Sequence, residues 1–230
     1  MAHKPHIIFL HGLGSGPASR KGVLVREHFS SRGYPVSLPS VTVPSLEDLS
    51  PRAAVNLVKE LVRNEARRSV DGGLVLMGSS FGAFLGLHAY HELSDTERAH
   101  IRALVLLAPA LNPWDPTSGL LTPERERAWR ERGSAPVLNL ETGYEVPVHY
   151  RFVEELRSFD SRAARVEAPT LIIHGLNDEV VPVTQSREFA ESHPGTVLEV
   201  LNDTHQLLGD PPKMLSLIER FILSGGTDSR

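Results

Sequence analysis

The chain has no cysteine among its 230 residues, which excludes disulfide bonds, thiolate metal sites and a cysteine nucleophile. Aromatic residues make up only 6% of it, and no apolar run is long enough to cross a bilayer, so no membrane insertion is expected. Basic side chains are slightly outnumbered by acidic ones, and the net charge of −4 argues against a nucleic-acid partner. What is present is an ordinary globular composition, 40% hydrophobic, sufficient for one domain with a sizeable core.

The N-terminal residues bear on the location of the protein in the cell. A strand-like run begins by Ile7, with Pro5 just before it, and leaves no room for the apolar region of a secretory signal. We therefore expect a cytoplasmic protein.

Gly12 and Gly14 suggest a dinucleotide-binding motif, but Pro17 occupies the place of the third glycine that such a motif requires. No metal-ligand spacing is present either, so the sequence predicts no cofactor and no metal, and it carries no sign of oligomeric state.

Short apolar runs alternate with helical patterns along most of the chain. The runs are continuous rather than alternating, as expected for strands that are covered on both faces. Strands that alternate with helices predict βαβ units, hence an α/β fold with a mostly parallel sheet of about six strands flanked by helices. The six predicted strands are Ile7–Leu10, Pro35–Leu38, Leu74–Met77, Leu104–Leu107, Leu171–His174 and Val197–Leu201.

One segment breaks this alternation. Residues 112–167 contain no buried-strand run, but a charged helix after Thr122 with Trp129 as its large anchor, and a short hairpin around residues 141–143. The segment is too small to hold much core of its own. It therefore predicts an insertion over a core formed by residues 1–111 and 168–230.

Ser80 is the candidate nucleophile. It lies at the centre of Gly78-Ser79-Ser80-Phe81-Gly82, directly after an apolar strand and before an apolar helix, the setting of a nucleophile elbow. The sharp turn would hold the serine in a strained conformation beside a base. Side chains at Gly78 and Gly82 would collide with the neighbouring strand and helix. The pentapeptide alone is weak evidence for a nucleophile, because glycine-rich turns without a catalytic role are common.

A serine nucleophile needs a base and a group that orients the base. His205, in the loop after the last strand, is the candidate base, with His193 as its nearest competitor. Asp178, in the loop after the preceding strand, is the candidate orienting carboxylate, and Glu179 and Asp203 remain alternatives. The chain order of nucleophile, acid and base, each after a successive strand, makes an accidental combination improbable.

Backbone amides are the expected donors to a developing oxyanion. One would be the amide of Phe81, next to the nucleophile. The other would be the amide of Leu13, in the glycine-rich loop that follows the first strand.

With these motifs assembled, the sequence resembles the alpha/beta-hydrolase superfamily, especially small bacterial serine esterases. The matching stretches cover most of the core and are residues 6–17, 78–82, 104–111, 174–182 and 203–206. The resemblance implies an alpha/beta-hydrolase fold, a triad of Ser80, His205 and Asp178, and a small cap, formed by residues 112–167, over the pocket. The antiparallel pair of strands found at the N-terminus of many members is missing here.

The predicted function is hydrolysis of a small-molecule carboxylic ester through an acyl-serine intermediate. An acyl-CoA thioesterase or a peptidase-type hydrolase would use the same groups and is the alternative within enzymes. A small-molecule receptor on a hydrolase scaffold, with an intact triad and negligible turnover, is the alternative from another class. Five aromatic residues of the insertion could line an acyl pocket or anchor the insertion on the core, and we favour anchoring. They are Trp114, Trp129, Tyr144, Tyr150 and Phe152.

Overall fold

The computed structural model describes residues 3–68, 72–114 and 121–226. Parts of the predicted core and insertion therefore lie outside the described residues: residues 1–2, 69–71 and 227–230 of the core, and residues 115–120 of the insertion. The elements along the chain are β1 (His6–Leu10), α1 (Arg20–Ser30), β2 (Val36–Ser37), α2 (Pro51–Arg68), β3 (Leu74–Ser79), α3 (Phe81–Glu92), α4 (Asp95–Arg98), β4 (Ile101–Leu107), α5 (Pro123–Arg132), β5 (Ser134–Leu138), β6 (Glu145–His149), α6 (Arg151–Leu156), β7 (Thr170–Gly175), α7 (Val183–Ser192), β8 (Thr196–Leu201) and α8 (Pro211–Leu223).

The core is a six-stranded sheet in the order β2-β1-β3-β4-β7-β8, and every pairing in it is parallel. This confirms the predicted fold class. All six residues of β3 are buried, as are four of the five in β1, because both faces of the sheet are covered by helices.

Side chains alternate between two helical layers, as the period of two in a strand requires. Ile8 and Leu10 of β1 pack into the cluster that holds α2 and α3, whereas Ile7 and Phe9 pack with α1 and α8. The continuous apolar run of β1 thus contributes side chains to the hydrophobic clusters on both faces of the sheet.

The spacing of five apolar residues in the sequence predicts an amphipathic helix with Leu46, Leu49, Ala53, Leu57 and Leu61 on one face. The prediction is wrong in where α2 begins and in which face is buried, because the helix begins at Pro51. Its buried interior positions are Ala54, Val55, Val58 and Val62. Leu46 is buried in the loop before the helix, so its side chain does not extend the helical stripe.

Residues 134–149 form the predicted hairpin, a two-stranded antiparallel sheet of β5 and β6. The hairpin joins the core by two backbone hydrogen bonds. The amide of Leu140 donates to the carbonyl of Gly14 at 2.7 Å, and that of His149 donates to the carbonyl of Glu47 at 3.0 Å. Trp129 is buried and its indole donates to the carbonyl of Val148 at 2.7 Å.

Candidate active site

The residues predicted from sequence lie beyond the carboxyl ends of four parallel strands. Leu13 follows β1, Ser80 follows β3, Asp178 follows β7 and His205 follows β8. Parallel strands end at the same edge of their sheet, so the topology brings these four loops to one side of the molecule. β1 and β3 are neighbours although β2 separates them in sequence, and ligands of open α/β sheets bind beside such a reversal of strand order.

Ser80 has the backbone conformation of a strained turn. Its φ is 54° and its ψ is −115°, values that non-glycine residues rarely adopt. The turn is held by its own backbone: the Ser80 amide donates to the carbonyl of Leu107 at 2.9 Å, and the Ser80 carbonyl accepts from the amides of Ala83 and Phe84. The half-buried side chain is thereby fixed at the start of α3 and lines a cleft.

The two glycines that flank Ser80 are required by close backbone contacts. A Cβ atom on Gly78 would lie 2.4 Å from the carbonyl oxygen of Gly82. A Cβ atom on Gly82 would lie 2.2 Å from the carbonyl oxygen of Leu10, at the end of β1. Both distances are shorter than any normal contact and both partners are backbone atoms, which agrees with the steric interpretation made from sequence.

We expect Gly82→Ala to lower the free energy of unfolding by about 3 kcal/mol, because the new methyl group forces α3 away from β1. The matched control is Gly86→Ala, one turn later in the same helix. A Cβ atom there meets the Leu10 side chain at an ordinary 3.4 Å, so alanine should be neutral or slightly stabilising. Denaturant unfolding of both variants measures the difference, and equal stabilities would contradict the steric argument.

Asp178 and His205 are in direct contact. The Nδ1 atom of His205 lies 2.8 Å from the Oδ2 atom of Asp178, although 27 residues separate them. The close approach of the two loops depends on Gly175, where a Cβ atom would lie 2.4 Å from the carbonyl oxygen of Thr204. His205 and Ser80 line the same cleft. The structure therefore brings the predicted acid and base together and places the predicted nucleophile in their cleft.

The Asp178 carboxylate is fully buried, and four hydrogen-bond donors surround it. Its Oδ1 atom accepts from the amides of Val180 and Val181 at 2.8 and 2.7 Å. Its Oδ2 atom is contacted by His205 and, at 3.0 Å, by the Nε2 atom of His174. Burial raises the pKa of Asp178, but the hydrogen bonds from His174, His205 and the Val181 amide outweigh burial and hold that pKa well below its usual range.

The alternatives to Asp178 and His205 make other contacts. The carboxylate of Glu179 accepts a long hydrogen bond, 3.4 Å, from the backbone amide of His205. Asp203 accepts from the amides of Thr204 and Gly209 and so shapes the loop that carries His205. His193 is the C-cap of α7, and its ring contacts backbone carbonyls of Phe189 and Ala164.

Both candidate oxyanion donors lie near the nucleophile, since Phe81 follows Ser80 in the chain and Leu13 lines the same cleft as Ser80. Phe81 is the first residue of α3, so its amide has no acceptor within the helix. Leu13 lines the cleft, and no hydrogen bond within the described part of the chain engages its amide. The Leu13 loop is fixed by His11, whose Nε2 atom accepts from the Val41 amide at 3.1 Å. Burial lowers the pKa of His11, which keeps this ring neutral and able to accept.

The cleft has a volume of about 800 Å³ and a mixed lining. Its apolar lining includes Leu13, Val137, Leu140, Val180 and Leu208, and its polar lining includes Ser15, Ser19, Arg20, Lys21 and Gln206. Val137 and Leu140 belong to the hairpin, so the insertion supplies part of the wall. The five aromatic residues of the insertion named above are not among the residues that line the cleft, and Trp129 and Phe152 are buried in the core as anchors.

The model of a protein family described as Uncharacterised protein family (UPF0227) matches residues 6–220, almost the whole chain. The chain belongs to UPF0227. The match spans all four loops described above.

Known proteins similar to this UPF0227 chain share its fold. Palmitoyl-protein thioesterase ABHD10, mitochondrial, from Rattus norvegicus is 27% identical over 81% of the chain, which spans 63% of that relative's length. The mouse alpha/beta hydrolase domain-containing protein 10 superposes with a TM-score of 0.74 at 22% identity, covering 97% of the chain and 92% of the mouse chain. Est1E from Butyrivibrio proteoclasticus with bound ferulic acid gives 0.78 at 19% identity, covering 98% and 90%. These likenesses establish the alpha/beta-hydrolase fold.

Three buried polar residues of this UPF0227 chain were not predicted to support the site: His11, Lys21 and His174. Two of them stand in His-Gly pairs that the sequence displays, at residues 11–12, directly after β1, and at residues 174–175, the last two residues of β7. That repeated pair could have indicated both histidines from the sequence.

Within the described residues, none of the helices is long and apolar enough to span a bilayer.

Proposed function

We propose that this protein is a serine hydrolase that cleaves carboxylic esters through an acyl-serine intermediate. The observation that carries the proposal is the 2.8 Å contact between His205 Nδ1 and Asp178 Oδ2, in a cleft that also holds the strained Ser80. With Nδ1–H donating to the carboxylate, the Nε2 atom of His205 is left unprotonated and can act as a base.

The reaction follows from these positions. Ser80 Oγ attacks the ester carbonyl carbon as its proton passes to His205 Nε2, and the oxyanion that forms accepts from the amides of Leu13 and Phe81. The C–O bond then breaks, and His205 returns the proton to the leaving alcohol. Water, deprotonated by His205, attacks the acyl-serine; release of the carboxylic acid and return of the proton to Ser80 complete the cycle. Asp178 stabilises the imidazolium in both halves.

A thioesterase is the second candidate, favoured by the palmitoyl-protein thioesterase among the relatives. Ester and thioester cleavage would use the same groups, so the cleft walls decide between them. The apolar residues of the lining suit an acyl chain, and two of them, Val137 and Leu140, lie on the hairpin of the proposed cap, residues 112–167. We propose a small-molecule substrate and a cytoplasmic location, as the sequence predicted.

The decisive measurement is kcat/KM for a matched series of oxygen esters and thioesters with acyl chains of two to sixteen carbons, in roughly two-carbon steps. We expect turnover of the oxygen esters, with a maximum at the acyl-chain length that the cleft accommodates. A consistent preference for thioesters of long acyl chains would instead support the thioesterase. Labelling of Ser80 by a fluorophosphonate without turnover of any ester would support a receptor on this fold.

A further inference from the structure

Lys21 is a buried cation for which the reaction above has no use. Its side chain is only 9% exposed, in the first turn of α1, where the positive end of the helix dipole also disfavours a cation. A buried ammonium is costly unless hydrogen bonds and opposite charges compensate for its lost hydration. The position of the compensating groups therefore indicates what Lys21 holds in place.

Those groups belong to the loops that carry the proposed acid and base. The Nζ atom of Lys21 donates to the backbone carbonyl of His205 at 3.2 Å, across 184 residues of sequence. The carboxylates whose negative charges stabilise the ammonium are Asp178, after β7, and Asp203, after β8. Lys21 thus joins α1 to the loop of His205 through a hydrogen bond, and carboxylates of both loops stabilise its charge.

Other charged groups share the cleft with Lys21. Arg20 precedes it on α1 and is exposed, and Glu141 of the hairpin lines the same cleft. The charges of Asp178 and Asp203 oppose the lowering of the Lys21 pKa by burial. The ammonium donates to the backbone carbonyl of His205 and is therefore directed toward the loop of His205.

The backbone of His205 itself has few other hydrogen-bond partners within the described residues, although neighbouring loop residues are held by bonds such as that from the Asn177 amide to the Asp203 carbonyl at 2.9 Å. Residues 202–210 lie between β8 and α8 and have no regular structure, and Leu207 has a positive φ of 51°. Within the loop, Asp203 binds the amides of Thr204 and Gly209, and the amide of His205 has only a long contact of 3.4 Å to Glu179. The carbonyl of His205 is fixed from outside the loop, by Lys21.

We propose that Lys21 is a positioning residue, whose ammonium holds the backbone of His205 so that the imidazole stays in contact with Asp178 in the cleft that Ser80 lines. This inference rests on the proposed hydrolase function for its meaning, but the hydrogen bond from Lys21 to the His205 carbonyl exists whatever the reaction.

The ionisation of Lys21 provides a readout. Burial lowers the pKa of Lys21 to about 8, while Asp178 and Asp203 partly oppose that effect. A charged donor binds a carbonyl more strongly than a neutral amine. Below pH 8 the ammonium form predominates and holds the loop; above it the charge is lost. We therefore expect kcat/KM of the native protein to fall as the pH rises through about 8.

The test compares Lys21→Met and Lys21→Arg with the control Lys213→Met, a change at an exposed lysine of α8. At pH 7 we expect Lys21→Met to lower kcat about tenfold or more with little change in KM, and to abolish the fall near pH 8. Lys21→Arg should recover part of kcat and show no fall near pH 8, because guanidinium stays charged. Lys213→Met should match the native profile.

Any of three results would overturn the proposal. They are a native kcat in Lys21→Met, an increase in KM without a decrease in kcat, and a fall of kcat/KM near pH 8 that persists in Lys21→Met. If Lys21→Met fails to fold, the profiles of Lys21→Arg and the native protein still decide.

A second readout does not depend on turnover. The low-field NMR signal of the His205 Nδ1 proton, which hydrogen-bonds Asp178, should be present in the native protein and in Ser80→Ala, and broadened or lost in Lys21→Met. An unchanged signal in Lys21→Met would overturn the positioning role even if no ester were cleaved. Conversely, loss of the signal in a protein without esterase activity would reject the proposed function while upholding the role of Lys21.

Discussion

Replacing Ser80 with alanine is expected to reduce kcat/KM for a short activated ester by about 10⁴-fold or more while leaving the thermal unfolding midpoint nearly unchanged. The loss is large because the hydroxyl is the atom that bonds to the acyl group, and neither His205 nor the oxyanion donors can replace it. The fold should persist because the turn is held by backbone bonds to Leu107, Ala83 and Phe84, which alanine keeps.

The control for this prediction is Ser216→Ala, which removes the hydroxyl of an exposed serine on α8 and should leave kcat/KM unchanged. Mass spectrometry of the native protein after fluorophosphonate treatment should place the adduct on the peptide that contains Ser80, and Ser80→Ala should give none. More than about a tenth of native activity in Ser80→Ala would remove Ser80 from the proposed mechanism.

The sheet and the four loops could be predicted from sequence because each has a local cause. A strand covered on both faces must be apolar throughout, as β3 is, so the core strands stand out without knowledge of their neighbours. The elbow likewise follows from the backbone contacts of Gly78 and Gly82. The phase of α2 was misjudged because Leu46 is buried in a loop, and a buried loop residue looks the same in sequence as one on a helix face.

The supporting residues could not be predicted because their partners are remote. Nothing local relates Lys21 to the carbonyl of His205, which depends on α1 and the β8–α8 loop meeting in the folded chain. His174 was visible in its motif, but its bond to Asp178 depends on the turn that follows β7. The roles of Ser80, Asp178, His205, Leu13 and Phe81 stay predictions that the variants decide.

Asp178→Asn is expected to lower kcat by about 10³- to 10⁴-fold, through the protonation pattern of its two histidine partners. The amides of Val180 and Val181 hold the Oδ1 atom, so the asparagine oxygen takes that place and its NH₂ group turns toward His205 and His174. To accept from the NH₂ group, His205 must leave Nδ1 unprotonated. The proton then resides on Nε2, the atom that has to receive the proton of Ser80.

The matched control is Asp203→Asn, which tests the neighbouring carboxylate that sequence alone left as an alternative. An asparagine oxygen at residue 203 can still accept from the amide of Thr204, so we expect a loss of at most about tenfold. A larger loss from Asp203→Asn than from Asp178→Asn would make Asp203 the orienting group and would contradict the 2.8 Å contact as the functional one.

Stability against acid provides an independent check on Asp178. Its pKa is depressed in the folded protein, so its contribution to stability is complete above the unfolded value of about 3.9 and is lost as the pH falls toward the lower folded value. Asparagine does not titrate. The difference in unfolding free energy between the native protein and Asp178→Asn, measured with denaturant, should therefore be larger at pH 7 than at pH 3. A difference that stays constant between these pH values would mean that the four hydrogen-bond donors around Asp178 do not favour its charged form, and the electrostatic basis for orienting His205 would fail with it.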